Sequence, residues 1–128
     1  MTEIPEEVKI FLVEAYENLD QVEQDLVDLE KAPTDGELIN SVFRAIHTIK
    51  GNSGFLAFNK LEELCHKGET LLDQLRNGSR QFSPQITNTL LAMIDVIRTI
   101  LESVEESGQE GDSDTSDVVA SLATLIDS

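Results

Sequence analysis

Hydrophobic residues recur along most of the chain at alternating intervals of three and four, the spacing that places them on one face of an α-helix. The first series comprises Val8, Leu12, Ala15, Leu19, Val22, Leu26 and Leu29. A helix beginning near Pro5 is predicted, because proline is tolerated in a first turn and the two glutamates after it favour the positive end of the helix dipole. Pro33 and the Asp-Gly pair that follows predict that this helix ends around Lys31.

Three further series predict three more helices. The second helix starts near Asp35 and buries Ile39, Val42, Ile46, Ile49 and Ser53; the third buries Leu61, Leu64, Gly68, Leu71, Leu72 and Leu75; the fourth buries Ile86, Leu90, Ile94, Ile97, Leu101 and Val104. Asn59 is predicted to cap the start of the third helix, Asn77-Gly78 to end it, and Ser83-Pro84 to begin the fourth. Four amphipathic helices joined by short loops predict an all-α fold, an antiparallel up-down four-helix bundle.

The C-terminal end of the chain changes in character. Residues 107–116 are rich in glycine, serine and acidic residues and contain no apolar residue, which predicts an acidic, flexible linker. Hydrophobic residues then return at Val118, Val119, Leu122, Leu125 and Ile126. We therefore predict a bundle domain over 1–106 and a short fifth helix over 117–128, and the sequence leaves open whether that helix docks on the bundle.

The composition agrees with a helical bundle and excludes some classes of binding partner. Only 5% of the 128 residues are aromatic, against 40% hydrophobic in all, a balance that suits helices better than a β-sandwich. The formal charge of −16 argues against nucleic acid or an anionic membrane as a ligand. Cys65 is the only cysteine, and neither a signal peptide nor an apolar run of roughly 18 residues is present. These features predict a cytoplasmic protein.

Acidic residues are dense almost everywhere, yet none lies between Glu37 and Glu62. That interval contains the basic residues Arg44, His47, Lys50 and Lys60. Chance in a largely buried helix would explain the gap, and so would a basic patch that holds an anion. The neighbouring residues favour the second interpretation.

One face of the second helix should present Phe43, His47, Lys50, Gly51 and Gly54, because residues three and four apart lie together. This face borders the buried series, so we expect His47 at its edge, partly exposed. Lys50 lies one turn further along, close enough to neutralise an anion attached to the imidazole. Gly51 costs about 1 kcal/mol of helix propensity relative to alanine. Close approach of another backbone or of a partner protein is one reason for such a glycine.

His66 and Glu69 share a face of the third helix. A carboxylate that accepts a hydrogen bond from one imidazole nitrogen fixes the tautomer and makes the other nitrogen a better nucleophile. If the second and third helices are antiparallel neighbours, Glu69 could reach His47. Taken alone, however, these residues favour a solvated surface acid and a structural histidine.

The segment from Phe43 to Gly54, with the sequence FRAIHTIKGNSG, closely resembles the signature of histidine phosphotransfer (HPt) domains. The segment from Phe11 to Leu19 looks like the first helix of the HPt domain that opens chemotaxis-type (CheA-like) histidine kinases. The third helix also fits that subgroup. The resemblance covers about residues 5–105, and it departs from the common pattern only mildly, at Asn52-Ser53.

The resemblance implies a role for each residue of this face. His47 would be phosphorylated, Glu69 would hydrogen-bond to it, and Lys50 would help to neutralise the phosphoryl group. His66 would belong to the supporting network. Three residues of the second helix would face the docking partner: Arg44, Gly51 and Gly54.

The function that the resemblance implies is that of a phosphocarrier in two-component signalling. A histidine kinase catalytic domain would supply ATP and Mg²⁺, and the receiver domain of a response regulator would supply the acceptor aspartate. The sequence has no glycine-rich phosphate loop and no carboxylates paired for Mg²⁺, so no cofactor or metal is expected in this domain. The domain would be a substrate of phosphotransfer and not an enzyme. The resemblance also implies that it is one domain of a longer kinase chain.

Two other functions are compatible with a helical bundle. One is a helical adaptor without chemistry, which would bind a partner through an apolar patch but would leave the carboxylate gap unexplained. The other is a carboxylate-bridged metal bundle, which needs two Glu-x-x-His units on facing helices. The chain has a single unit in reversed order, His66 to Glu69, so we set the metal bundle aside.

Overall fold

The computed structural model describes residues 3–128, which form five α-helices and no β-strand. The helices are α1 (Glu6–Lys31), α2 (Gly36–Phe55), α3 (Asn59–Arg76), α4 (Pro84–Ser107) and α5 (Ser116–Asp127). The first four pack in a ring in which α2 lies diagonally opposite α4, and α5 packs on α3 and α4. This confirms the predicted all-α four-helix bundle. Over the same residues, no helix is both long and apolar enough to cross a membrane.

The core of the bundle follows the hydrophobic spacing. Every residue that the spacing assigns to the buried faces of α1 to α4 is buried. Several further residues are buried although the strict spacing does not include them, among them Phe11, Cys65, Met93 and Ile100. Gly68 is buried because the Met93 side chain lies where a β-carbon would be, so α3 and α4 approach closely.

Two helices begin at the predicted capping residues. The Asp35 carboxylate accepts the backbone N–H groups of Glu37 and Leu38 at 3.0 and 3.3 Å. The Ser83 hydroxyl accepts the N–H of Ile86 at 3.3 Å. Each such cap contributes about 1 kcal/mol by satisfying an N–H that the helix itself cannot. Both starts are decided locally, which is why the sequence reveals them.

The start of α3 corrects a prediction. Asn59 is not the cap but the first helical residue; the buried Phe58 precedes it and has no side chain that could cap the helix. The missing acceptor comes from Glu110, whose carboxylate accepts the N–H groups of Lys60 and Leu61 at 3.3 and 2.6 Å. Burying the Phe58 ring stabilises the start of α3 more than a capping side chain at this position would, and a distant carboxylate supplies the cap.

The loop after α4, which the sequence predicts to be a flexible linker, contacts the start of α3. Besides the Glu110 cap, Lys60 Nζ donates to the backbone oxygens of Gly111 and Ser113 at 3.1 and 3.0 Å. The loop thus contacts α3 in two ways: the Glu110 carboxylate meets the positive end of the helix, and two loop carbonyl oxygens accept from the Lys60 ammonium. The fifth helix is confirmed, and it docks by burying Val118, Leu122 and Leu125.

Candidate functional site

His47 lies on the outer edge of α2, where the helix meets α3. The residue before it, Ile46, is fully buried, so the backbone at this point is anchored in the core. The His47 side chain itself is 60% exposed. The predicted position at the edge of the buried face is therefore confirmed, with a fixed backbone and an imidazole that reaches solvent.

Glu69 on α3 holds one edge of that imidazole. Its Oε2 lies 2.8 Å from His47 Nδ1. An ionised carboxylate can only accept hydrogen bonds, so Nδ1 carries the proton and donates it. In the neutral ring Nε2 is then unprotonated and keeps its lone pair. The contact thus selects the tautomer that leaves Nε2 as the nucleophilic atom.

Lys50 completes a three-residue cluster, but through a contact that the sequence did not predict. Its Nζ donates to Glu69 Oε1 at 2.9 Å, so the carboxylate is shared between a lysine and a histidine. Burial alone would raise the pKa of Glu69, yet the hydrogen bonds from Lys50 and His47 outweigh burial and lower the pKa below its usual value. Glu69 is consequently ionised at neutral pH and able to orient His47.

Cys65, also on α3, is the other nucleophilic residue near this cluster. Burial raises the pKa of the Cys65 thiol to about 12, helped by the negative charge of Glu69 and opposed by Lys50. A thiol with that pKa stays protonated at neutral pH and does not react. The imidazole of His47 is therefore the available nucleophile of the cluster.

His66 and Arg44 do not join the cluster. The His66 ring is exposed and makes no hydrogen bond within the described part of the chain, although it borders an open depression together with Lys50 and Glu62. Arg44 is also exposed, and its guanidinium forms no ion pair with any residue from 3 to 128. The supporting role predicted for His66 has no contact behind it, and both side chains are free to meet a partner.

The two glycines of this face have different surroundings. A β-carbon at Gly51 would meet nothing within 4 Å, whereas one at Gly54 would collide with the Glu62 carboxylate. The Glu62 carboxylate is the end of a flexible side chain that can move aside, so packing inside the domain requires neither glycine. The reason for Gly51 has to be sought outside the domain.

Sequence reasoning missed a contact on the face of the imidazole. The Phe43 ring lies nearly parallel to that of His47, with 6.0 Å between centroids and 8° between planes. The Arg76 guanidinium lies 3.9 Å from the Phe43 centroid and donates to Asp73 at 2.7 Å. The available signal was spacing, since Phe43 lies one turn before His47 and Arg76 lies two turns after Glu69.

Comparison with known proteins gives a consistent result. The family model described as Hpt domain matches residues 6–106. The chain is 40% identical over 110 residues to the sensor histidine kinase CheAY of Helicobacter pylori. That alignment takes in 86% of this chain but 14% of the relative, so the chain spans less than a fifth of the length of the curated relatives it matches.

Solved structures show the same similarity in three dimensions. The CheA phosphotransferase domain from Thermotoga maritima superposes with a TM-score of 0.74 at 35% identity, covering 76% of this chain and 92% of that one. The phosphorylated P1 domain of CheA3, in complex with CheY6 from R. sphaeroides, superposes with a TM-score of 0.87 at 26% identity. In that pair 95% of this chain and 96% of the other are covered, so the match includes at least part of α5.

Proposed function

The chain belongs to the histidine phosphotransfer (Hpt) domain family, and from that premise we propose that it is a phosphocarrier whose His47 accepts and passes on a phosphoryl group. The donor is the ATP-bound kinase domain of a chemotaxis-type histidine kinase. The acceptor is an aspartate in the receiver domain of a response regulator. One observation carries the proposal: an exposed imidazole whose Nδ1 is held by an ionised carboxylate at 2.8 Å.

In the loading step Nε2 of His47 attacks the γ-phosphorus of ATP. The Nε2–P bond forms, the bond from phosphorus to the bridging oxygen breaks, and ADP leaves with that electron pair. Nδ1 keeps its proton, so the phosphorylated ring gains a positive charge beside Glu69. Because the carboxylate is already in place, no group has to reorganise as that charge develops.

In the unloading step the acceptor aspartate attacks the same phosphorus. The N–P bond breaks, its electron pair returns to Nε2, and the ring becomes the neutral tautomer again. The hydrogen bond to Glu69 keeps Lys50 near His47 whether or not the histidine is phosphorylated. We propose that Lys50 offsets the phosphoryl charge. No proton has to enter or leave the ring in either direction, which suits a carrier that must be loaded and unloaded repeatedly.

An apolar surface beside His47 suits the docking of a receiver domain. His47, Gly51 and Phe55 follow one another at four-residue intervals along α2, and Phe55 is 85% exposed. Ile10 and Val13 on the adjacent α1 are also exposed. Phe55 lies about two turns of α2 from the imidazole, where an acceptor aspartate has to be delivered, and the open space at Gly51 lies between them. We propose that this surface, together with Arg44, receives the response regulator.

We assign ATP and Mg²⁺ to the kinase domain and no cofactor to this one. Among residues 3–128, no three His, Cys, Asp or Glu side chains are grouped so that they could hold a metal ion. The His47 cluster offers one carboxylate, already engaged by Lys50, whereas phosphoryl transfer from ATP uses metal ions that bridge the phosphates. Because the donor is ATP, we place the domain in the cytoplasm.

Incubation with a chemotaxis-type kinase domain and γ-³²P-ATP tests the proposal. Wild-type protein should become labelled, and the label should be lost in acid and retained in alkali, as for a phosphoramidate. His47→Gln should stay unlabelled, while the matched variant His66→Gln should label. Labelling of His47→Gln at the wild-type rate would refute the nucleophile assignment. A wild-type domain that stays unlabelled but binds its partner through the Phe55 surface would be the helical adaptor instead.

A further inference from the structure

The hydrogen bond to Glu69 restrains the His47 ring but does not lock it. A single hydrogen bond tolerates a range of angles, so the imidazole can still rock about its Cα–Cβ and Cβ–Cγ bonds. Since the side chain is 60% exposed, the core does not prevent that rotation. A contact on the face of the ring is needed to fix the direction of Nε2.

Phe43 makes that contact. It lies one turn before His47, and the parallel rings with centroids 6.0 Å apart form an offset stack, one of the preferred arrangements of aromatic pairs. Phe43 is itself only partly buried, so the core does not fully hold it either. A phenyl ring at a helix surface can steady its neighbour only if something steadies the phenyl ring.

Arg76 supplies that support from α3. Its guanidinium covers the Phe43 ring at 3.9 Å, within the range of a cation–π contact. Asp73, one turn earlier on the same helix, holds the guanidinium at 2.7 Å. Arg76 lies two turns after Glu69, so α3 holds the imidazole twice: directly at its edge and, through Phe43, on its face.

We infer that Phe43 and Arg76 are positioning residues for His47: their stack fixes the plane of the imidazole and thereby aims Nε2 at the incoming phosphorus. The inference rests on the proposed function of His47. Neither residue touches the reacting atoms. A nucleophile that is held in its plane spends less of its time in unproductive orientations, and such positioning accelerates attack.

Arginine suits this position better than lysine. A guanidinium is planar and can lie flat on a phenyl ring while its edge still donates to a carboxylate, whereas an ammonium is a compact charge that does neither as well. Replacing Arg76 by lysine should therefore keep part of the effect, and replacing it by glutamine should remove it. Arg80 offers a matched control because it carries the same charge but donates to Gln74 and the backbone oxygen of Ser128.

The test compares Arg76→Gln, Arg76→Lys and Arg80→Gln by two measurements on the whole chain. The first is the initial rate of labelling by the kinase domain. The second is the ¹H shift of the carbon-bound protons of the His47 ring, which the Phe43 ring current displaces. We expect Arg76→Gln to slow labelling about threefold to tenfold, the range that corresponds to one aromatic contact. Its His47 signals should move toward random-coil values although Phe43 is still present.

Arg76→Lys should fall between Arg76→Gln and wild type in both measurements, and Arg80→Gln should match wild type. Unchanged His47 shifts in Arg76→Gln would overturn the inference, even with slower labelling, since the loss would then come from charge or docking. Shifted signals with unchanged labelling would overturn it as well. If the wild type is not labelled, the proposed function fails; the shifts are recorded on unphosphorylated protein and judge the stack separately.

Discussion

Two clusters of charged side chains each join neighbouring helices of the bundle, one between α1 and α4 and the other between α2 and α3. In the first, Arg98 of α4 donates to Asp20 at 2.8 Å and, through its other terminal nitrogen, to Glu23. The hydrogen bond with Glu23 raises the pKa of Arg98 above its usual value, although burial opposes the shift. One cation is matched to two carboxylates, and no nucleophilic atom is left over. We expect this cluster to hold helices together and to do nothing else.

The second cluster has the opposite arrangement, because one carboxylate is shared by two donors. Glu69 accepts from Lys50 and from His47, and the second imidazole nitrogen remains free. The comparison shows that a concentration of charge does not identify a site in a protein as acidic as this one. What identifies the site is a nucleophile that the surrounding contacts orient and leave free to react.

The largest effect is expected from Gly51→Arg, which fills the open space beside the α2–α3 cluster. Transfer from phosphorylated His47 to a receiver domain should fall about a hundredfold or more, because a bulky residue at the centre of an interface prevents close docking. Stopped-flow mixing of the phosphorylated domain with the receiver domain measures the rate of transfer. The fold should be unaffected, since a β-carbon added at Gly51 meets nothing within 4 Å.

Two variants control this experiment. Gly51→Ala should transfer normally, because one added carbon meets nothing inside the domain and little of a partner. Ala92→Arg places the same side chain on an exposed position of α4, diagonally opposite α2, and should also transfer normally. Normal transfer by Gly51→Arg would mean that the receiver docks elsewhere.

Glu69→Ala is expected to act on the chemistry of His47. Without the carboxylate neither tautomer is selected, and the charge that develops on the ring is not offset. Loss of one charge-assisted hydrogen bond of about 1.5–3 kcal/mol corresponds to labelling that is slower by roughly tenfold to a hundredfold. The free energy of unfolding should fall by about 1–3 kcal/mol while the helices stay folded, because Glu69 is 16% exposed and its loss leaves Lys50, which is 22% exposed, without a hydrogen bond.

Initial labelling rates and urea unfolding followed by circular dichroism measure the two quantities. Glu63→Ala removes the same charge from an exposed position of α3 and should label like wild type. Equal labelling rates in Glu69→Ala and wild type, with helicity intact, would remove Glu69 from the mechanism.

The sequence predicts those parts of the fold that short-range spacing determines. The buried faces of α1 to α4 follow from intervals of three and four residues, and the caps at Asp35 and Ser83 depend on residues two or three positions away. Asn59 was misjudged because the start of α3 is decided by the distant Glu110. No local pattern reveals that a carboxylate fifty residues away will supply a cap.

The site was predictable to the same extent. The position of His47 at the edge of α2 follows from helical periodicity, which needs no knowledge of α3. Its contact with Glu69 depends on the register between two helices, and the residues alone favoured a solvated acid at that position; the family resemblance supplied the pairing. Lys50 is predicted to help to neutralise the phosphoryl group, and that role stays a prediction; its contact with Glu69 is one that the residues do not predict. The stack of Arg76 on Phe43 depends on the same register, and no resemblance drew attention to it.

The smallest effect is expected from Arg98→Gln, which breaks the α1–α4 cluster. Asp20 is well exposed, and ion pairs at such positions contribute up to about 1 kcal/mol to stability. The midpoint of urea unfolding should therefore fall slightly, while labelling of His47 and transfer to the receiver stay at wild-type rates. Glu69→Ala should lower the midpoint at least as much, but of the two variants it alone should slow labelling. If Arg98→Gln slowed labelling as much as Glu69→Ala, the two clusters would be coupled through the bundle. The distinction between a structural cluster and a reactive one would then not hold.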